Sequence, residues 1–384
     1  MARIVVCGYM IRHPMAGNLL AFFHYLLGLS WLGHQVLYLE ESGWSESCYN
    51  PASNQQGDDP SYGLEALQGM LARYGLDIPV CYVNRDTGQM WRTYQVDLKQ
   101  AFGAADLLIN VGGVCWLPEF LGCRRRVLVD MDPFFTQAGR FAREGKDQYH
   151  AYFSYGANIG RAGCAIPGDG ICWQPTVPPV VPEIWQDLGP ATPDPSAPLT
   201  TIANWNAYGR IRYRGQYYGQ KSSEFRRIMV LPRHTTQPLE LTLSGVDKKT
   251  LGRLKAAGWQ VRESMEVSAE VPTYQAYMAA SKGEFSVAKH AYVKTWSGWF
   301  SDRSVCYLAA GRPVILQDTG YSEWLPTGSG VLAFSNLEEA VECIEQLNSD
   351  YQKHCCAARE IAEQWFGYQK VLPRIVEAGL HRSI

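Results

Sequence analysis

Residues 294–324 read KTWSGWFSDRSVCYLAAGRPVILQDTGYSEW. A polar, glycine-bearing loop (Ser297, Gly298, Ser301) runs into an apolar helical stretch of Val305, Cys306, Leu308, Ala309 and Ala310. Gly311 stops that stretch, and Pro313 opens a β-rich segment, Val314-Ile315-Leu316. A second polar loop, Gln317-Asp318-Thr319-Gly320, follows at once. The order is loop, helix, turn, strand, loop. A helix start preceded by small residues suits an anion, because its first N–H groups are unpaired and its dipole end is positive. Ser301 is the expected N-cap of that helix.

The preceding chain explains what this stretch belongs to. Residues 3–7 (RIVVC) read as a buried strand ended by Gly8, a loop follows, residues 19–32 form an apolar helix closed by Gly33-His34, and 35–40 (QVLYLE) is a second strand. That β-loop-α-β unit belongs to a parallel sheet, and the loop after its first strand lies at the carboxyl edge where ligands bind. It lacks a strict G-x-G-x-x-G. Residues 41–61 form a long polar loop that reads as a mobile flap. Further strands are expected at 80–83, 105–111, 126–130 and 152–155, so strands and helices alternate over roughly the first 170 residues. Two proline-rich stretches, 173–182 and 189–198, read as extended linker. Alternation then resumes, with strands at 199–203, 239–243, 260–263, 284–288 and 331–334. Helices are expected at 223–230, 248–257, 274–280 and 337–347, and a long amphipathic run at 350–378, kinked near Gly367. The loop from Asn204 to Lys221 is rich in aromatic and basic residues.

Composition fits two or three globular domains: 384 residues, 46% hydrophobic, 19% charged, with a net charge of −2. That charge argues against a protein that tracks phosphate backbones, although it leaves room for a local basic patch. The amino terminus has no signal-peptide pattern, and the apolar region at 19–32 is too short to span a bilayer. Eleven scattered cysteines without a C-x-x-C read as reduced thiols in a cytoplasmic protein, and their spacing gives no zinc site.

Two Rossmann-like halves, a linker near the middle and a helical carboxyl terminus resemble the GT-B glycosyltransferases. Gly298-Trp299-Phe300, Ala309-Ala310-Gly311 and Arg312-Pro313-Val314-Ile315 with Asp318 resemble the donor segment of the nucleotide-sugar-dependent members. Gly33-His34-Gln35-Val36 resembles the start of that family's second strand. The resemblance implies an α/β fold of two parallel-sheet domains facing a cleft. Residues 1–180 would be the acceptor side, 181–365 the donor domain and 366–384 a terminal helix returning to the first domain. It implies sugar transfer from a nucleotide-diphosphate sugar, a co-substrate rather than a cofactor, without a metal. Many members carry two glutamates about eight residues apart. The matching positions here are near Ser297 and Cys306, and Asp302 is the only carboxylate at that helix start.

Such a transfer needs stabilisation of the departing diphosphate, an oriented acceptor and, with inversion, a base. The donor-side candidates are Asn204, Lys221, Ser297, Gly298, Ser301, Asp302, Arg303, Ser304 and Asp318, with Trp205 and Tyr208 as stacking surfaces for a nucleobase. His13, in the loop after the first strand, and Asp132, at the end of a later one, are the candidate bases. The D-x-D of Asp130 and Asp132 resembles a metal site of another glycosyltransferase fold, and the two-half architecture argues against that fold. An epimerase acting on the nucleotide sugar and a non-catalytic two-lobed binding protein are the competing readings. The acceptor is expected against the loops at 9–18 and 41–61.

Overall fold

The strand Arg3–Cys7 (β1) is buried on both faces, as a central parallel strand must be. The computed structural model describes residues 1–381 except 95, 96, 140–144, 146, 187, 189–193 and 208. The chain divides into two units: Met1–Gly156 with Gly168–Val181 and Tyr368–Ile384, and Ala157–Pro167 with Pro182–Gly367.

In the first unit the strands are β1, Gln35–Glu41 (β2), Cys48–Asn50 (β3), Gln55–Gly57 (β4), Val80–Val83 (β5), Met90–Arg92 (β6), Leu107–Val111 (β7), Arg126–Asp130 (β8), Ala151–Ser154 (β9) and Trp173–Pro175 (β10). Eight of them form one sheet in the order β10-β9-β8-β7-β1-β2-β5-β6. Every pairing is parallel except β5 with β6. The order reverses at β1, whose neighbours are β2 and β7, so the loops after β1 and β7 open at the switch point. The helix Ala16–Trp31 leads from β1 to β2, and the terminal helix Tyr368–Leu380 packs on it. A side chain at Gly28 would meet Tyr368 Cβ at 2.8 Å, so the two helices touch backbone to side chain there.

The second unit holds Leu199–Asn204 (β11), Ile211–Tyr213 (β12), Gln216–Tyr218 (β13), Leu239–Ser244 (β14), Gln260–Glu263 (β15), Gly283–Ser286 (β16), Val314–Gln317 (β17) and Val331–Phe334 (β18). Six form an all-parallel sheet ordered β15-β14-β11-β16-β17-β18. Here the reversal falls between β11 and β16. The connection after β11 leads through the β12–β13 ribbon to Lys221 at the start of a short helix, and the loop after β16 carries Ser297.

Several expectations need correction. Residues 173–175, read as linker, form β10, an edge strand whose Pro175 is tolerated because one side of an edge needs no donor. The polar loop at 41–61 contains the β3–β4 hairpin and a buried Cys48. The helix expected at 223–230 is a short Lys221–Phe225 helix followed by a tighter turn at Leu231–Arg233. The long terminal run does kink at Gly367 as expected, with Tyr351–Ile361 and a π-helical turn at Ala362–Phe366 before it and Tyr368–Leu380 after it. No helix among the described residues is long and apolar enough to cross a membrane.

Candidate active site

Beyond β16 the chain forms the short helix His290–Lys294, turns through Trp296 and reaches the helix Asp302–Ala309. Trp296 and Gly298 both lie in the left-handed region, at φ 52° and 72°. Glycine takes that conformation without cost, whereas Trp296 is held there by contacts. Its indole N–H donates to Glu323 Oε1 at 2.6 Å, and its carbonyl accepts from Asn158 Nδ2 at 3.3 Å. Asn158 is the hub of the loop. Its backbone N–H donates to the Ser297 carbonyl at 3.0 Å, and Nδ2 also reaches the Gly320 carbonyl at 3.0 Å. The Gly298 N–H donates to the Thr319 carbonyl at 2.8 Å, which ties the first polar loop to the second. Phe300 stacks on Phe366 at 4.9 Å and anchors the loop in the core.

Ser301 occupies the N-cap position with extended backbone, but its hydroxyl caps no amide of the first turn and instead lies 3.4 Å from Asp302 Oδ1. The helix amides thus have no side-chain cap from Ser301. Ser304 is fully buried, and its Oγ has no hydrogen-bond partner among the described residues.

Arg303 points back at the sheet. Its Nε donates to Glu284 Oε1 at 2.7 Å and a terminal nitrogen donates to Ser286 Oγ at 3.0 Å, both partners lying on β16. Burial works against the guanidinium charge, and the fully buried Glu284 carboxylate, Tyr274 and Asp302 together outweigh it and raise the pKa. Lys221 lies in the same electrostatic environment. Burial first, then the Arg303 and Lys289 charges, pull its ammonium well below the usual lysine range, while Glu284 and Asp302 oppose them. Lys221 makes no hydrogen bond or ion pair among the described residues, so a buried cation stands beside a second one without an anion of its own. Ser286, Ala288, Trp299, Ser301, Arg303 and Thr319 line a narrow pocket with room for little more than a water molecule.

The remaining candidates fall elsewhere in this unit. Asn204 ends β11 on the surface, and its Oδ1 accepts from the Asn206 N–H at 3.2 Å. Trp205 is core rather than stacking surface: it is 1% exposed and lies on Phe225 at 5.3 Å. Tyr208 lies outside the described residues. Asp318 is occupied by its own loop, accepting from the Gly320 N–H at 2.8 Å and Ser322 Oγ at 2.5 Å.

In the first unit, His13 sits between Tyr9 (centroids 6.0 Å apart) and Tyr49 (5.5 Å), and burial lowers its pKa so that the ring is neutral near pH 7. The loop that carries it is clamped by Glu40, whose carboxylate accepts from the backbone N–H of Ile11 at 2.8 Å and of Arg12 at 2.7 Å, from Arg12 Nε at 3.3 Å and from Tyr38 OH at 2.5 Å. Asp132 follows β8 in a turn whose Phe134 stands at φ 72°. Asp130 has no oxygen to spare. It accepts from the Asp132 N–H, Thr136 Oγ1, Gln137 Nε2 and Ser154 Oγ at 2.6–2.9 Å. The D-x-D pair is therefore a loop brace, and no group of three potential ligands able to hold a metal ion occurs among the described residues.

No family model matches the chain, and no curated protein does. Solved structures do match. An alpha-glucosyltransferase in complex with UDP and a 13-mer DNA containing a central A:G mismatch superposes with a TM-score of 0.57 at 13% identity, over 98% of this chain and 99% of that one. An alpha-glucosyltransferase with UDP-glucose and DNA containing an abasic site gives 0.57 at 11% identity, over 98% of both chains. The fold is GT-B. At these identities the likeness is one of fold. Ser297 and Cys306, near which the two glutamates were expected, are both buried, and the carboxylate paired with Arg303 is Glu284, supplied from the sheet. The sequence carried one signal for it, an acidic residue inside a strand expected to be buried. Asn158, far away in the chain, gave none.

Proposed function

We propose that the chain is a glycosyltransferase that takes a hexosyl group from a nucleoside-diphosphate sugar bound by its second unit. The observation that carries this reading is the Lys221–Arg303 pair in the segments that follow β11 and β16: a buried ammonium with no ion-pair partner among the described residues, near a largely buried guanidinium that Glu284 already holds. A diphosphate supplies the anionic partner that Lys221 lacks. The backbone amides at 301–304 and Ser304 Oγ add donors at a helix start. The GT-B structures similar to this chain hold UDP or UDP-glucose, and a uridine donor is our first choice. Asp302 is assigned to the ribose and the Ser297–Gly298 loop to the sugar. Neutralisation by the chain's own cations makes a metal unnecessary for the leaving group in this scheme. The eleven free thiols suit a reducing, cytoplasmic setting.

In the transfer, the acceptor hydroxyl oxygen bonds to the anomeric carbon. The bond from that carbon to the diphosphate breaks, and the diphosphate leaves with the electron pair. We assign the acceptor's proton to His13 in the first unit, whose ring is neutral and held by the Glu40-clamped loop; Asp132 is the alternative. The test is release of UDP from UDP-sugars, with His13→Asn and Asp132→Asn in parallel. The proposal expects slow release by the wild type and a large loss of turnover, at unchanged UDP affinity, in His13→Asn. Absence of release from every UDP-sugar, with or without added hydroxyl acceptors, would contradict it.

A further inference from the structure

Residues 205–223 contain Arg210, Arg212, Arg214 and Lys221 and neither aspartate nor glutamate. Within this span β12 and β13 form an antiparallel ribbon with Ile211 opposite Tyr218, Arg212 opposite Tyr217 and Tyr213 opposite Gln216. The two-residue turn at its tip has Arg214 at φ 47° and Gly215 at 79°, the left-handed pair that matches strand twist. Asparagine or aspartate commonly fills the first of these positions. An arginine there costs roughly 1 kcal/mol in backbone energy and places a cation at the tip.

Arg210 and Arg212 are two residues apart and share a ribbon face with Tyr217, the partner across from Arg212. Their guanidinium carbons lie 5.6 and 5.8 Å from the Tyr217 ring centre, and that of Arg214 lies 5.2 Å from Tyr213. Tyr217 is 55% exposed. None of the three arginine side chains makes a hydrogen bond or ion pair among the described residues, and all three residues are exposed, so their donors face solvent beside the tyrosine rings. The ribbon is fixed at its root: Lys294 Nζ donates to the Tyr217 carbonyl at 3.1 Å, and the Gly219 N–H donates to His290 Nδ1 at 3.2 Å. The overall charge of −2 hides this concentration because it averages over 384 residues.

We propose that this ribbon is a docking site for a single-stranded nucleic acid. The unpaired guanidinium donors match phosphate oxygens, and charge without base contact would serve any polyanion. The alternation of arginines with exposed tyrosine adds planar surfaces on which unpaired bases stack, which a duplex does not offer. The site is independent of the glycosyltransferase reading, since binding is measured without a sugar donor.

The experiment is fluorescence anisotropy of the full chain with a labelled single-stranded oligonucleotide of about 15 nucleotides, titrated across salt. The triple variant R210Q/R212Q/R214Q is expected to lose at least tenfold in affinity and about 2 units of the log–log salt slope, from three phosphate contacts at ~0.7 each. Tyr217→Ala is expected to weaken binding with the slope unchanged. Unaltered circular dichroism and melting in both variants separate these effects from misfolding. Absence of saturable binding at low salt, an unchanged triple variant, tighter binding of the matching duplex, or inorganic polyphosphate competing equally with a neutral Tyr217→Ala would each overturn the proposal.

Discussion

Arg303 Nε and Glu284 Oε1 lie 2.7 Å apart, with the carboxylate fully buried and the guanidinium nearly so. A buried pair of this kind gives little net stability, but removing one partner leaves an uncompensated charge and costs about 3–5 kcal/mol. Glu284→Gln keeps the shape and removes the charge. It should lower the stability of the second unit by about 3 kcal/mol in a denaturant titration and weaken UDP binding, because Arg303 loses its orientation. Stability and affinity both at wild-type values would show that the pair does not position the arginine.

The Ser297–Gly298 turn depends on the absence of a side chain. A Cβ at Gly298 would lie 2.7 Å from Asn158 Cγ and 2.9 Å from its backbone nitrogen, at φ 72°. The conformation alone costs an alanine about 1–2 kcal/mol, and the clash adds to it. Gly298→Ala should therefore lower the melting temperature by several degrees and reduce UDP-sugar turnover more than Asn158→Ala does. Unchanged melting would refute the tight approach.

Much of this was legible in the sequence. The segments at 80–83, 126–130 and 331–334 fall where apolar runs placed strands, because strands buried in a parallel sheet leave a largely unmixed apolar signal. The edges were less readable. Pro175 disguised β10, and β6, with alternating exposure on an antiparallel edge, carried no run at all. The ribbon at 211–218 was read as a loop because arginine occupies the turn position that asparagine or glycine would have flagged. In the site, Lys221 and Arg303 were named from their place after strand ends. Glu284 and Glu40 were passed over, since a carboxylate inside an apolar run declares its partner only in three dimensions.

Lys221 gives the site a pH dependence of fixed sign. Burial and the neighbouring cations depress its pKa in the free protein, and a bound diphosphate raises it. Between the free and bound values, UDP binding takes up a proton, so affinity falls as pH rises, by up to about tenfold per unit. Calorimetry in buffers of different ionisation enthalpy should report that uptake in the wild type, and Lys221→Met should abolish it. Equal proton uptake in the variant would move the effect to another group.

His24 sets a separate pH effect in the first unit. Its Nδ1 accepts the Val181 N–H at 3.1 Å, and burial lowers its pKa to about 3. The folded pKa lies below the unfolded value, so the unfolded chain binds the extra proton. The contribution is complete above about pH 6.5 and is lost as pH falls toward the folded value. The wild type should lose up to ~1.4 kcal/mol per pH unit in that window relative to His24→Gln. Parallel stability curves for the two proteins between pH 6.5 and 4 would contradict this assignment.

Titration of UDP into the wild-type chain by isothermal calorimetry, repeated with Lys221→Ala and Arg303→Ala, bears on the whole account of the site. The expected result is saturable one-to-one binding that weakens at least tenfold in each variant while both remain folded. Wild-type protein that binds no nucleoside diphosphate, or variants that bind it unchanged, would contradict the assignment of the pair to the diphosphate.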